Sequence, residues 1–206
     1  MFLKSPPELI LASTSKYRRE LLSRLGLPFV CAAPNIDESA QAGERAAALV
    51  SRLARQKAAA VAAAHPGAWI IGSDQAAVRV DTAGGEAILG KPGTTAASIE
   101  QLRGCSGRTL TFMTAVALLQ AGGDVAGGDA LEFTDSTRVI FRVLDDPTIE
   151  RYVAREMPLD CAGGFKCEAL GITLCESIES VDPTALIGLP LIRLAAALRT
   201  AGFALP

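Results

Sequence analysis

Apolar and polar positions alternate along this chain in blocks that predict a mixed α/β protein. The run Ile10-Leu11-Ala12 ends in three hydroxyl residues, Ser13-Thr14-Ser15. A helical pattern then begins at Lys16-Tyr17-Arg18-Arg19, continuing through Leu21, Leu22 and Leu25. This reads as a strand, a tight turn and a helix that Ser13, Thr14 or Ser15 can cap. Pro28 to Ala33 predicts a short strand, and Pro34 to Ser39 a polar loop with adjacent acids, Asp37 and Glu38. Ala46 to Ala64 is an alanine-rich helix with Leu49, Val50, Leu53 and Lys57 at helical spacings.

Further along, Ala68 to Gln75 is an apolar strand with a polar end. Val78 to Leu89 forms a hairpin around Asp81 to Gly85. Gly90-Lys91-Pro92-Gly93 is a loop, after which Thr94 or Thr95 caps a helix to Leu102. Ser106 to Arg108 is a turn, Thr109 to Leu119 a strand, and Gly122 to Gly128 a hairpin tip. Glu132 to Val143 alternates, with Ser136, Arg138, Ile140 and Arg142 on one side and Thr137, Val139 and Phe141 on the other. Pro147 to Glu156 is a helix, Cys161 to Leu170 a glycine-containing loop, and Gly171 to Ile178 a strand. Gly188-Leu189-Pro190 opens a last helix, Leu191 to Arg199. Crossover helices mixed with hairpins argue for a mixed sheet in one unit spanning residues 1–206.

Composition narrows the function. Half of the 206 residues are hydrophobic and the net charge is −2. A core is therefore expected, and binding to nucleic acid through a broad positive surface is disfavoured. Met1 to Pro7 has no long apolar segment before its prolines, and no stretch approaches the roughly 18 to 20 apolar residues of a membrane span. Five cysteines without CxxC spacing fit a reducing cytoplasm. The one histidine, His65, falls at a helix end, so a histidine-based triad has no support.

Some loop residues carry chemistry. The start of the first helix offers free N–H groups and the forks of Arg18 and Arg19, a setting that suits an anion. Asp74, just beyond an apolar strand, can hold a divalent metal or orient and deprotonate a water. Lys57 reads as a solvated helical lysine, and Lys91 lies in a tight loop. There is no Walker motif, because Gly163-Gly164-Phe165-Lys166 lacks the spacing, and no dinucleotide fingerprint. These residues suit a phosphorylated small molecule and a divalent metal.

The ordered set of segments is more specific than any one of them. Leu11 to Leu22 resembles the opening motif of the Maf family. Asp37-Glu38-Ser39, Arg52 to Ala58, Ile70 to Gln75, Gly90-Lys91-Pro92, Ser106-Gly107-Arg108, Cys161 to Lys166 and Ile187 to Leu191 resemble later Maf motifs, in order. The resemblance implies an inosine-triphosphatase-like fold with a central mixed sheet flanked by helices and a cleft between two lobes. It also implies a homodimer, a requirement for Mg²⁺, Mn²⁺ or Co²⁺, and hydrolysis of a nucleoside triphosphate to the monophosphate and pyrophosphate. On this resemblance Asp74 is the catalytic carboxylate. Ser13, Arg18, Lys57 and Lys91 handle phosphate, and Glu38 and Asp74 handle metal.

Three further positions, Tyr17, Gln75 and Glu168, resemble the branch of the family that hydrolyses 7-methyl-GTP. That branch carries an aromatic residue (usually tryptophan), glutamine and glutamate there. The branch acting on dTTP and UTP carries arginine, threonine and glutamine. An aromatic face suits a base made cationic by methylation, and a carboxylate suits the adjacent N–H donors of guanine. The alternatives are a pyrophosphatase for dTTP, UTP or other modified nucleotides and, from a different class, a regulatory protein acting by binding in septum formation.

Overall fold

The computed structural model describes residues 7–80, 84–122 and 130–206. Among these, seven strands form one mixed sheet, in the order β2 (Val30–Ala32), β1 (Leu9–Ala12), β3 (Trp69–Val80), β5 (Thr109–Gln120), β6 (Leu131–Phe141) and β7 (Cys175–Ser180), with β4 (Glu86–Leu89) paired to β3. The chain divides into two compact units, each assembled from separated segments. The first holds residues 1–74, 114–134 and 188–206, and the second holds 75–113 and 135–187.

In the first unit, β1 (Leu9–Ala12) is fully buried and runs parallel to both neighbours, with Ile10 opposite Val30 of β2 (Val30–Ala32) and Ile70 of β3 (Trp69–Val80). Burial on both faces explains why β1 is an unbroken apolar run. Helix α1 (Lys16–Ser23) is capped by Ser15, whose side chain accepts from Arg18 N at 3.4 Å. Ser13 completes the turn by accepting from Ser15 N at 3.1 Å. The helix stops at Ser23, short of the expected Leu25.

Helix α2 (Ala46–Ala62) buries Leu49, Val50, Leu53, Ala54, Lys57, Ala58 and Val61, a single stripe at spacings of three and four. Lys57 lies within that stripe and is only 4% exposed, so it is not the solvated lysine expected from its alanine-rich surroundings. Helix α5 (Leu191–Thr200) begins after Pro190 and buries Leu191, Leu194, Ala197 and Leu198.

The second unit has its own core. Phe165 meets Phe141 edge-on at 5.2 Å and Phe112 at 5.9 Å between centroids, with Leu102, Leu110, Ile149 and Tyr152 buried in the same cluster. Helix α3 (Thr95–Cys105) is capped by Thr94 and runs past the expected Leu102. Helix α4 (Asp146–Glu156) is capped by Asp145 and ends at Met157 in a left-handed conformation (φ +46°).

Strand β4 (Glu86–Leu89) pairs antiparallel with β3, Val80 opposite Glu86. This is the expected hairpin, although Asp81 to Ala83 at its tip lie outside the described residues. The sequence pattern predicts a strand over Ala68 to Gln75 and a separate hairpin over Val78 to Leu89. Instead Trp69–Val80 is one continuous strand, and the Gln75 side chain within it donates to the carbonyls of Ala185 and Leu186.

Strand β5 (Thr109–Gln120) matches its expectation, while residues 123–128 of the expected hairpin tip lie outside the described residues. Strand β6 (Leu131–Phe141) keeps the expected alternation: Thr137, Val139 and Phe141 are buried and Ser136 and Arg138 exposed. The strand expected over Gly171 to Ile178 is corrected. Leu170–Leu174 is a 3-10 turn, and β7 (Cys175–Ser180) begins after it, antiparallel to β6. Glycine at 171 permits that turn, since a Cβ there would lie 2.3 Å from the Lys166 carbonyl oxygen.

Candidate active site

Four of the expected residues converge in the first unit. Lys57 projects from α2 and donates to Asp74 Oδ1 at 2.7 Å and to Glu38 Oε2 at 2.8 Å. Asp74 on β3 is 7% exposed, whereas the Glu38 side chain is about half exposed, at 56%. Arg18, on the first turn of α1, completes the group. Its Nε donates to the Gly188 carbonyl at 3.0 Å, which also accepts from Ser73 Oγ at 3.1 Å. Gly188 has φ +119°, a conformation that L side chains rarely adopt, so glycine suits the carbonyl that anchors Arg18.

Close approach of α2 to β3 makes the Lys57–Asp74 contact possible. Gly72 lies against α2, and a Cβ there would come within 2.0 Å of the Ala54 carbonyl oxygen. Only a residue without a side chain allows this separation.

The loop bearing Glu38 is braced from outside. Asp37 Oδ1 accepts from Ser39 N at 2.9 Å, an Asx-type turn around Glu38. Arg52 of α2 grips Glu44 through two bonds of 2.7 Å and donates to the Ser39 carbonyl at 3.0 Å. A planar guanidinium on a carboxylate is the strong, directional form of this contact. Arg52 and Glu44 were not expected as site-related residues. The sequence signal available was a basic residue five positions, or about one and a half helical turns, before Lys57.

Two cations and two carboxylates interact here. Burial raises the Asp74 carboxyl above its usual 3.8, against the opposing pull of Lys57 and Arg18, while Glu38 adds to the rise. Burial also lowers Arg18 below the ordinary arginine range, and the charges of Asp74 and Glu38 work the other way.

Ser13 is 6% exposed at the end of β1. A cavity of about 190 Å³ opens beside this turn, lined by Ser13, Thr14, Ser15, Lys16, Arg19 and Cys31 among others. Tyr17 is half-buried, and Lys16 Nζ sits 4.9 Å from its ring centroid, so this ring already accepts a cation.

The remaining expected residues belong to the second unit. Gln75 donates through Nε2 to the carbonyls of Ala185 and Leu186, both at 3.0 Å. Lys91 is exposed on a loop fixed at each end, with Gly90 O accepting from Gly163 N at 3.2 Å and Gly93 N donating to Leu159 O at 3.1 Å. Glu168 is exposed on the turn that follows Lys166.

Among the described residues no group of three or more His, Cys, Asp or Glu side chains could hold a metal ion. The two carboxylates around Lys57 nevertheless fit the mode in which a hard divalent cation takes one or two protein carboxylates and completes its shell with substrate phosphates and water. The five cysteines are free thiols. Among the described residues no helix is long and apolar enough to cross a membrane.

The chain can be placed among known proteins. The family model for Maf-like proteins matches residues 8–201. A protein of Xanthomonas oryzae pv. oryzae (strain MAFF 311018) named 7-methyl-GTP pyrophosphatase is 56% identical over 200 residues, covering 97% of this chain and 100% of its own. Its namesake from Pseudomonas fluorescens (strain Pf0-1) is 52% identical over 198 residues, covering 96% and 98%. Among solved structures, a HAM1 protein from Coxiella burnetii overlaps 66% of this chain and 73% of its own, at 21% identity and a TM-score of 0.44.

Proposed function

Because the chain belongs to the Maf-like protein family, we propose that it is a nucleoside triphosphate pyrophosphatase that hydrolyses 7-methyl-GTP to 7-methyl-GMP and pyrophosphate. One observation carries the reading. Asp74, Lys57 and Glu38 meet at 2.7 and 2.8 Å in a chain 56% identical to a protein of that name over 97% of its length.

In this reading Ser13, Arg18, Lys57 and Lys91 receive the triphosphate. Fixed cations beside the phosphates offset the charge that develops as the bond between the α- and β-phosphates breaks. Glu38 and Asp74 would hold a divalent cation, Mg²⁺, Mn²⁺ or Co²⁺, which supplies Lewis-acid stabilisation of the phosphoryl oxygens. Asp74 takes the proton of the attacking water. A free aspartate is a weak base at neutral pH, and burial raises this one toward a more useful strength.

The base is read by Tyr17, Gln75 and Glu168. Methylation at N7 makes guanine a cation, and a cation over an aromatic face gains about 0.5 to 2 kcal/mol. The position of Lys16 over Tyr17 supports this role for the ring. Glu168 can accept N1–H and N2–H of guanine side by side, whereas a pyrimidine would face it with carbonyl oxygens. The proposal includes a homodimer, which the family resemblance supports, and a cytoplasmic setting, which the five free cysteines support.

The test is pyrophosphate release from 7-methyl-GTP with and without chelator, in the wild type and Asp74→Asn. Metal-dependent release that falls by about 10²-fold or more in the variant is expected for loss of a general base. Full activity in Asp74→Asn, or in chelated enzyme, would overturn the assignment.

A further inference from the structure

Glu168 stands on a tight turn gripped from outside by one helix. The turn closes on the Lys166 carbonyl, which accepts from Ala169 N at 3.3 Å and Gly171 N at 3.1 Å. Glu156, the last residue of α4, reaches both ends of it. Its Oε1 accepts from Lys166 Nζ at 2.9 Å, and its Oε2 accepts from Leu170 N at 3.1 Å. One turn earlier on α4, the Tyr152 hydroxyl accepts from Lys166 N at 3.1 Å.

The contact is shielded: the Lys166 and Glu156 side chains are 18% and 11% exposed. A carboxylate at the C-terminal end of a helix opposes the helix dipole and would be avoided without compensation. Here Lys166 and the Leu170 N–H provide it. Burial pushes Glu156 upward, yet these two bonds outweigh burial and hold it below its usual 4.5. The carboxylate therefore stays charged and keeps its grip at neutral pH.

We propose that Glu156 is a specificity-positioning residue: by holding Lys166 and Leu170 together, it fixes the direction in which Glu168 is presented to the nucleotide base. This inference rests on the reading that Glu168 recognises the base. A residue that merely held the fold together would lower turnover of every nucleotide alike. One that aims Glu168 alters the choice between bases and leaves the anhydride chemistry intact.

The experiment compares kcat/KM for 7-methyl-GTP and dTTP in the wild type, Glu156→Gln, Lys166→Met and Glu168→Gln, with thermal unfolding of each. Glutamine at 156 keeps the shape and can still accept from Leu170 N, but it loses the ion pair. Lys166→Met removes the pair from the other side and reads the same contact if Glu156→Gln fails to fold. The expected result is a fall of about tenfold or more in the preference for 7-methyl-GTP, because discrimination depends on placement of a polar partner. The fall comes through KM, with kcat little changed. An unchanged preference in Glu156→Gln and Lys166→Met, while Glu168→Gln loses it, would overturn the inference alone. Equal losses of kcat on both nucleotides would also overturn it. An unchanged preference in Glu168→Gln would overturn the base reading and this inference with it.

Discussion

Gly72→Ala adds one methyl group where β3 and α2 touch. The new Cβ would fall 2.0 Å from Ala54 O, 2.8 Å from Ala58 N and 2.9 Å from Ala58 Cβ. Two of these are backbone atoms, so no rotamer change relieves the clash. To restore ordinary contact the helix and strand must part by about 1.4 Å, in an interior packed as tightly as an organic crystal. Overpacking of this kind costs roughly 1–3 kcal/mol, and a backbone clash belongs at the upper end. At about 3 kcal/mol the melting temperature falls by roughly 6–12 °C for a chain of this size.

Lys57 is the residue before Ala58. The same displacement therefore stretches its 2.7 Å bond to Asp74, and activity falls at temperatures where the variant is still folded. Thermal unfolding followed by circular dichroism gives the first quantity, and pyrophosphate release at 20 °C below the variant's midpoint (roughly, given the transition width expected at this size) gives the second. A Gly72→Ala protein as stable and as active as the wild type would refute the close-packing account of how Lys57 reaches Asp74.

Two other predictions concern the loop bearing Glu38 and the aromatic ring at position 17. Arg52 holds Glu44 down to about 2 from its usual 4.5, through its own bonds first and the Gln41 N–H second. A depressed carboxylate stabilises the folded state fully above its unfolded value, and the effect is lost as pH falls through the folded one. Arg52→Met should therefore melt earlier than the wild type by a constant margin above about pH 5, and the margin should shrink between pH 4.5 and about 2. A margin that widens in acid would contradict the assignment. Tyr17→Trp enlarges the stacking face and should raise the preference for 7-methyl-GTP over GTP roughly two- to five-fold, equivalent to about 0.5–1 kcal/mol. Competition kinetics with the two nucleotides measure it, and a lower preference in the tryptophan variant would remove Tyr17 from base recognition.

Periodicity made the elements of both units readable where one face is buried. The stripe from Leu49 to Val61 and the alternation of β6 each appear in the sequence as they do in the structure. The turn after β1 left three candidate caps, and hydrogen-bond geometry chose Ser15, with Ser13 turned inward to support it.

The misread stretches share a cause, which is that local pattern does not record closure with distant partners. Gly171 to Leu174 looks apolar enough for a strand, but the bond from Gly171 N to Lys166 O bends it into a turn. Lys57 looked solvated because alanine neighbours carry little pattern. Its burial depends on Gly72, Glu38 and Asp74, which lie 15 to 19 positions away in the chain. Arg52–Glu44 and Glu156–Lys166 pair across 8 and 10 positions between a helix and a loop, where helical spacing gives no signal.

The central claim concerns which nucleotide this chain cleaves. Its most direct test is a panel of 7-methyl-GTP, GTP, dTTP and UTP with Mg²⁺, Mn²⁺ or Co²⁺, read as kcat/KM for pyrophosphate release. The account predicts the highest value for 7-methyl-GTP, with 7-methyl-GMP as the other product. Equal or faster cleavage of dTTP or UTP, or release of orthophosphate in place of pyrophosphate, would contradict it.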